Sequence, residues 1–258
     1  MEFRPCIDIH NGKVKQIVGG TLRDEGDSAS ENFVSEKDGA YYAGLYRERA
    51  LKGGHVILLN GADSPYYEAT KQQAMSALSA YPGGLQVGGG INPDNAADFL
   101  EGGASHVIVT SYVFKDGKIN FSNLEKMAQA AGRERLVLDM SCRKRDDKYV
   151  VVTDRWQKFT DEVVSLELLE RLSDYCDEFL IHAVDVEGKC SGIEKELVRM
   201  LSMYNGRALT YAGGIGSLDI LRELKEDGNS RINATIGSAL DIFGGPLSMD
   251  TIIEIVNS

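Results

Sequence analysis

Two stretches decide the fold: Gln86-Val87-Gly88-Gly89-Gly90-Ile91 and Thr210-Tyr211-Ala212-Gly213-Gly214-Ile215. Each is a short apolar run that ends in a Gly-Gly-Ile turn. Each is followed, at a similar distance, by a second apolar run with a small polar turn: Val109-Thr110-Ser111 after the first, Ile236-Gly237-Ser238 after the second. Each is also preceded by an apolar run closed by an aspartate, Pro5-Cys6-Ile7-Asp8 in one case and Leu136-Val137-Leu138-Asp139 in the other. The matched pieces lie about half the chain apart, a period far too long for a solenoid unit, and read as a duplicated half-domain. The expectation is one domain over residues 1–258, built from half-barrels near 1–131 and 132–258.

Outward from these stretches, short apolar runs predict eight strands: Phe3–Ile9, His55–Asn60, Gly84–Val87, His106–Thr110, Leu136–Met140, Phe179–Ala183, Ala208–Ala212 and Ala234–Ile236. Longer amphipathic segments between them predict helices over Gly39–Lys52, Thr70–Tyr81, Pro93–Gly102, Asn120–Ala131, Leu166–Tyr175, Ile193–Tyr204, Ser217–Glu226 and Met249–Val256. Alternation of this kind implies parallel βαβ units, because a parallel strand needs a crossover to return. Eight units in 258 residues fit a closed (β/α)8 TIM barrel of the α/β class. The open, doubly wound sheet is the alternative. It lacks a Gly-x-Gly-x-x-Gly after the first strand, and two equal halves suit a ring better. The polar region Gly19–Asp38 reads as a long mobile loop. Ser141–Trp156 reads as a hairpin at the end of the fifth strand, with an exposed turn over Arg143–Lys148 and a strand over Tyr149–Thr153.

Composition narrows the partners. A formal net charge of −11 argues against nucleic acid, whose binders carry a basic footprint. No apolar stretch approaches membrane-spanning length, and the N-terminus lacks the apolar run of a signal peptide. Cys6, Cys142, Cys176 and Cys190 form no Cys-x-x-Cys pair, so zinc and thioredoxin-type readings fail on spacing and no metal is expected. Reduced thiols and a cytoplasmic location follow as expectations, together with a monomer.

The chemistry is expected at the strand C-termini, the active face of such barrels. Asp8 and Asp139 close the first and fifth strands, on opposite sides of an eight-membered ring. Such a pair can divide general acid and general base work if their environments separate their pKa values. A strand-end Asp can also simply cap the next turn. Gly89, Gly90, Thr110 and Ser111 in one half, and Gly213, Gly214, Gly237 and Ser238 in the other, read as two phosphate cradles, because glycine lets backbone N–H groups approach an anion. The same glycines can be plain turn punctuation. Trp156 is the only tryptophan and is placed to stack on a flat heterocycle, beside Arg155; a core role is the alternative. Arg143, on the same hairpin, is a candidate substrate contact. His182 ends the sixth strand and is a candidate for orienting or polarising substrate. His10, His55 and His106 share no pattern and receive no role. Glu187–Gly192 reads as a glycine-hinged loop that could close on substrate, or as a plain crossover.

Taken together, these residues resemble the phosphoribosylformimino-5-aminoimidazole carboxamide ribotide isomerase family of histidine biosynthesis. The pieces are Ile7-Asp8-Ile9 with Asn11-Gly12-Lys13-Val14, Leu59-Asn60-Gly61-Ala62, Gly89-Gly90-Ile91, Leu138-Asp139, Ser191-Gly192, Gly213-Gly214-Ile215 and Ile236-Gly237-Ser238-Ala239-Leu240. The resemblance implies a bis-phosphorylated ribotide substrate and an Amadori rearrangement of an aminoaldose (ProFAR) to an aminoketose (PRFAR). Asp139 would protonate the ribose ring oxygen and Asp8 would take the C2′ proton. No cofactor is implied. His182 stands where bacterial members usually carry Thr, and Leu58 where they often carry Asp, which points to the eukaryotic branch. Two other readings stay open: the sister cyclase, imidazole glycerol phosphate synthase, whose opening resembles Pro5-Cys6-Ile7-Asp8, and a non-catalytic phosphosugar-binding barrel.

Overall fold

A computed structural model describes residues 1–17, 21 and 29–258. In chain order its strands are β1 (Cys6–His10), β2 (Lys13–Ile17), β3 (Glu31–Val34), β4 (Gly54–Leu58), β5 (Leu85–Gly88), β6 (Val107–Val109), β7 (Phe114–Lys115), β8 (Lys118–Ile119), β9 (Leu136–Asp139), β10 (Cys142–Arg145), β11 (Lys148–Thr153), β12 (Lys158–Val163), β13 (Glu178–His182), β14 (Ala208–Ala212) and β15 (Ile232–Thr235). Its helices are α1 (Gly39–Glu48), α2 (Tyr67–Ala80), α3 (Ala96–Glu101), α4 (Phe121–Ala131), α5 (Leu166–Leu172), α6 (Lys195–Leu201), α7 (Leu218–Asp227) and α8 (Met249–Asn257).

Eight strands, β1, β4, β5, β6, β9, β13, β14 and β15, pair in parallel in that order. The ring closes where Phe3 bridges Ala234, with Arg4 N–H donating to the Ala234 carbonyl at 2.9 Å and Ala234 N–H to the Glu2 carbonyl at 2.9 Å. The fold is the (β/α)8 barrel expected, with a helix after each barrel strand.

Period-two alternation sorts every barrel strand into two faces. In β13, Phe179 and Ile181 pack outward into the large core shared with the helices, whereas Leu180 faces inward. Inside the ring, Ile108, Val137, Leu180 and Ala212, with Ile57 against them, form an apolar layer. Toward the N-terminal ends of the strands sits a polar network centred on Glu178. Its carboxylate pairs with the Arg4 guanidinium, accepts from Gln86 Nε2 at 2.7 Å, and accepts from the Thr210 hydroxyl. The barrel interior is a packed core with a buried ion pair, not a channel.

The structure differs from expectation in three places. Glu31–Val34, within the proposed Gly19–Asp38 loop, is a strand; with Lys13–Ile17, to which it runs antiparallel, it extends the sheet beside β1. A two-residue turn at Asn11-Gly12 starts this extension, both residues with positive φ (52° and 71°), as an Asn-Gly hairpin requires. The rest of the proposed Gly19–Asp38 loop falls partly outside the described residues. The hairpin after the fifth barrel strand is a three-stranded sheet, β10-β11-β12, turning at Asp146-Asp147. Its third strand escaped the sequence reading because Lys158–Val163 does not alternate cleanly. Several helices are shorter than their amphipathic patterns, most clearly α6, which spans Lys195–Leu201 rather than Ile193–Tyr204, and α3, which starts at Ala96 rather than at Pro93.

Candidate active site

The C-terminal ends of the barrel strands enclose a cavity of about 280 Å³. Around the ring, Asp8 closes the first strand and Asp139 the fifth, while the two glycine turns follow the third and seventh. Carboxylates and cradles therefore alternate around the mouth. Asp8, Asp139, His182, Trp156, Gly89, Gly90, Thr110, Ser111, Gly213, Gly214, Gly237 and Ser238 all line this cavity. The apolar layer of Ile57, Ile108, Leu180 and Ala212 contributes to its walls.

The two carboxylates sit in different surroundings. Asp139 is a hydrogen-bond hub: its Oδ1 accepts from the Ser141 N–H and hydroxyl, both at 2.7 Å, and its Oδ2 from the Thr110 hydroxyl at 2.9 Å. Asp8 accepts from Gln16 Nε2 at a long 3.4 Å and has the Cys6 thiol at 3.8 Å. Burial, and then the neighbouring Glu187 carboxylate, raise the Asp8 carboxyl from its ordinary range to about 7; His182 acts in the opposite sense. That value lies where a general base works best at neutral pH.

His182 Nε2 stands 2.9 Å from Glu187 Oε2, on the loop after β13. Burial opposes charge on this imidazole, but Glu187 prevails and raises its pKa. Trp156 joins both halves of the site. Its indole lies edge-on to His182, with ring centres 4.9 Å apart, and its Nε1 donates to the Ser141 hydroxyl at 3.1 Å. Asp154, Arg155 and Trp156 all have positive φ (52°, 56° and 67°), a left-handed turn that costs backbone energy at each non-glycine residue. This turn brings both Arg155 and Trp156 to the cavity wall.

The structure does not bring Arg143 into the cavity. Its Nε donates to Asp185 Oδ1 at 2.8 Å and its guanidinium lies over Phe159. Asp185, just past β13, also accepts from the Lys144 N–H at 2.9 Å, so it holds the stem of the hairpin and captures Arg143 there. Arg155, in the turn between β11 and β12, is the one Lys or Arg side chain among the described residues lining the cavity.

The glycine turns carry backbone that other residues resist. Gly89 and Gly213 have φ of 101° and 120°, and a Cβ at these positions would meet the Leu58 carbonyl at 2.1 Å and the Ala183 carbonyl at 2.6 Å. The loop from Glu187 to Gly192 folds over the second turn, with Gly192 N–H donating to the Gly214 carbonyl at 3.1 Å.

Sequence reasoning missed Cys6, His55, Ser141 and Glu187. Alternation could have found the first two: Cys6 shares the inward face of Asp8, and His55 is its register partner on β4. Glu187 and Ser141 act through a loop conformation that no periodicity encodes.

A family model described as "Histidine biosynthesis protein" matches residues 2–245. The chain belongs to this family. It is 52% identical over 257 residues to the chloroplastic 1-(5-phosphoribosyl)-5-((5-phosphoribosylamino)methylideneamino) imidazole-4-carboxamide isomerase of Medicago truncatula, covering 98% of this chain and 81% of the relative. Relatives of the same name occur in Yarrowia lipolytica, 46% identical with 95% and 93% of the two chains covered, and in Saccharomyces cerevisiae, 43% identical with 95% and 94% covered. Plant and fungal relatives at this identity accord with the eukaryotic branch inferred from His182 and Leu58.

Proposed function

We propose that this protein is the isomerase of histidine biosynthesis that converts the aminoaldose ribotide ProFAR to the aminoketose PRFAR. One observation carries the reading: two carboxylates and two glycine cradles alternate around one cavity. A ligand with a phosphate at each end, held by Gly89, Gly90, Thr110 and Ser111 on one side and Gly213, Gly214, Gly237 and Ser238 on the other, passes its reacting ribose between Asp8 and Asp139. With little positive charge on the wall, backbone N–H groups supply most of the attraction for the phosphates.

In this reading Asp139 donates a proton to the ring oxygen, opening the ribose to a Schiff base. Thr110 can donate to or accept from Asp139, so the pair accommodates the carboxyl with and without its proton. Asp8 then removes the C2′ proton, and the enolamine tautomerises to the ketose. The substrate nitrogen takes up the electrons, so the residues need no cofactor. His182, Trp156 and Arg155 orient the heterocycle and close the mouth. We further take the chain to be a single barrel of two related half-barrels, acting as a cytoplasmic monomer.

The test is turnover of ProFAR without ammonia or a glutaminase. Conversion to PRFAR is expected. Tight binding with no conversion would replace the isomerase with a binding barrel, and turnover of PRFAR with ammonia would replace it with the cyclase.

Two further outcomes follow. kcat/KM rises with pH as Asp8 ionises, with a midpoint near 7; a profile flat between about pH 6 and pH 8 would remove Asp8 as the base. Gly213→Val, by placing a side chain against the Ala183 carbonyl, raises KM on the order of tenfold or more with a smaller change in kcat, since each tenfold reflects about 1.4 kcal/mol of lost binding. An unchanged KM would move the phosphate elsewhere.

A further inference from the structure

Beneath the proposed reaction centre lies a trio that the isomerase chemistry does not use as a unit. Cys6 and Asp8 project from the same inward face of β1, and His55 stands beside Cys6 on β4, where the two are register partners. One donor atom from each, a thiol sulfur, a carboxylate oxygen and an imidazole nitrogen, lies within 4.8 Å of the others. All three side chains line the cavity.

We infer that Cys6, Asp8 and His55 form a site for a borderline-soft divalent cation, of which Zn²⁺ is the type, and that the cation inhibits the enzyme. Thiolate, imidazole and carboxylate are the donors zinc selects, and three protein ligands with one position open to a cavity is the arrangement of an accessible zinc site. Bond lengths near 2.0–2.3 Å place tetrahedral ligands roughly 3.3–3.7 Å apart. Cys6 Sγ and Asp8 Oδ2 are already 3.8 Å apart and no pair in the trio exceeds 4.8 Å, so ligation draws the donors together by about 1 Å at most pairs. Strand backbone fixes the three Cβ positions, which limits the ordering cost of ligation. His55 is buried against the cavity, and its imidazole offers a ring nitrogen that can donate to a metal. On ligation Cys6 releases its proton to solvent. The thiolate and the Asp8 carboxylate then balance the charge of the ion, where an unpaired charge is costly.

A cation held there occupies Asp8 and intrudes on the ribose position, so inhibition is competitive with substrate. The inhibitory consequence rests on the isomerase reading; binding of the ion does not.

The experiment uses the full chain, reduced and freed of chelator, titrated with Cd²⁺ and followed by the ultraviolet thiolate-to-cadmium charge-transfer band. Zn²⁺ inhibition of turnover is measured alongside. The expected result is a saturable band at one equivalent, displaced by Zn²⁺, that disappears in Cys6→Ala and persists in Cys190→Ala, which removes the exposed thiol. His55→Gln keeps the thiol but weakens Cd²⁺ binding on the order of tenfold or more, as loss of one ligand should. Half-inhibition in Cys6→Ala needs at least about tenfold more Zn²⁺, relative to that variant's own uninhibited rate. A band that survives Cys6→Ala, one that vanishes in Cys190→Ala, or no band in the parent overturns the site. If the parent shows the band but turns over no ribotide, the isomerase reading fails while the metal site stands.

Discussion

Asp8→Asn and Asp139→Asn each lower kcat by about 10² to 10⁴-fold, the usual contribution of a positioned acid or base, with a much smaller change in KM. Neither change should dismantle the site. Asparagine at 139 can keep its oxygen toward the Ser141 N–H and hydroxyl and turn its NH2 toward Thr110, whose hydroxyl is able to accept. The geometry survives and the exchangeable proton is lost. Asp8→Asn carries a second expectation, opposite in sign to its effect on rate. The folded-state pKa of Asp8 is raised above its unfolded value of 3.8, so the folded protein binds the extra proton between the two. The stability this contributes is present in full below the unfolded pKa and is lost as pH rises through about 7. The asparagine variant lacks that dependence. Its Tm relative to the parent should therefore improve between about pH 5 and pH 8, while its turnover stays low. Thermal melts and steady-state kinetics on the same preparations check both. Near-parental turnover of either variant removes that aspartate from the chemistry. A Tm that drops equally at both pH values would show that Asp8 supports the fold instead.

The fold was legible because its signal is periodic. Strand and helix alternation, and the Gly-Gly-Ile pair about half a chain apart, need no tertiary information. Asp8 and Asp139 were legible for the same reason, since each ends a strand at a matched position of the repeat. Arg143 and Arg155 show where that reading stops. Both stand on one hairpin and carry the same charge. Which of them meets the cavity depends on Asp185 capturing the first, and on three consecutive left-handed residues that carry the second to the mouth. Asp154 tolerates positive φ, but no propensity marks Arg155 or Trp156 for it. The two strands added beside β1 escaped for a different reason: Lys13–Ile17 and Glu31–Val34 lie outside the eight-unit pattern, and Glu31–Val34 is a largely exposed edge with little alternation to read.

Glu178→Ala is expected to cost about 3–5 kcal/mol of stability, the toll of breaking a buried ion pair from one side. The Glu178 side chain is only 4% exposed and that of Arg4 12%, so the guanidinium would be left without its main counter-charge. Gln86 and Thr210 lose their acceptor at the same time. These two residues open the two stretches that decided the fold, at equivalent positions of the repeat, and both converge on this one carboxylate. In a chain of this size the loss should appear as a Tm lower by roughly 10 °C. The remaining activity at low temperature should be near the parent's, because the network sits at the strand N-termini, beyond the apolar layer from Asp8 and Asp139. Replacing both charges, as Arg4→Met with Glu178→Leu, separates two meanings of the pair. Desolvation of two ions can offset their attraction, so an apolar substitute of similar volume should recover most of the loss seen in Glu178→Ala. Denaturant melts of the single and double variants measure the difference. A double variant as unstable as the single would mean that the barrel needs the hydrogen bonds of Glu178 to Gln86 and Thr210, not merely charge balance for Arg4. A single variant within about 1 kcal/mol of the parent would mean that water reaches Arg4 and solvates it.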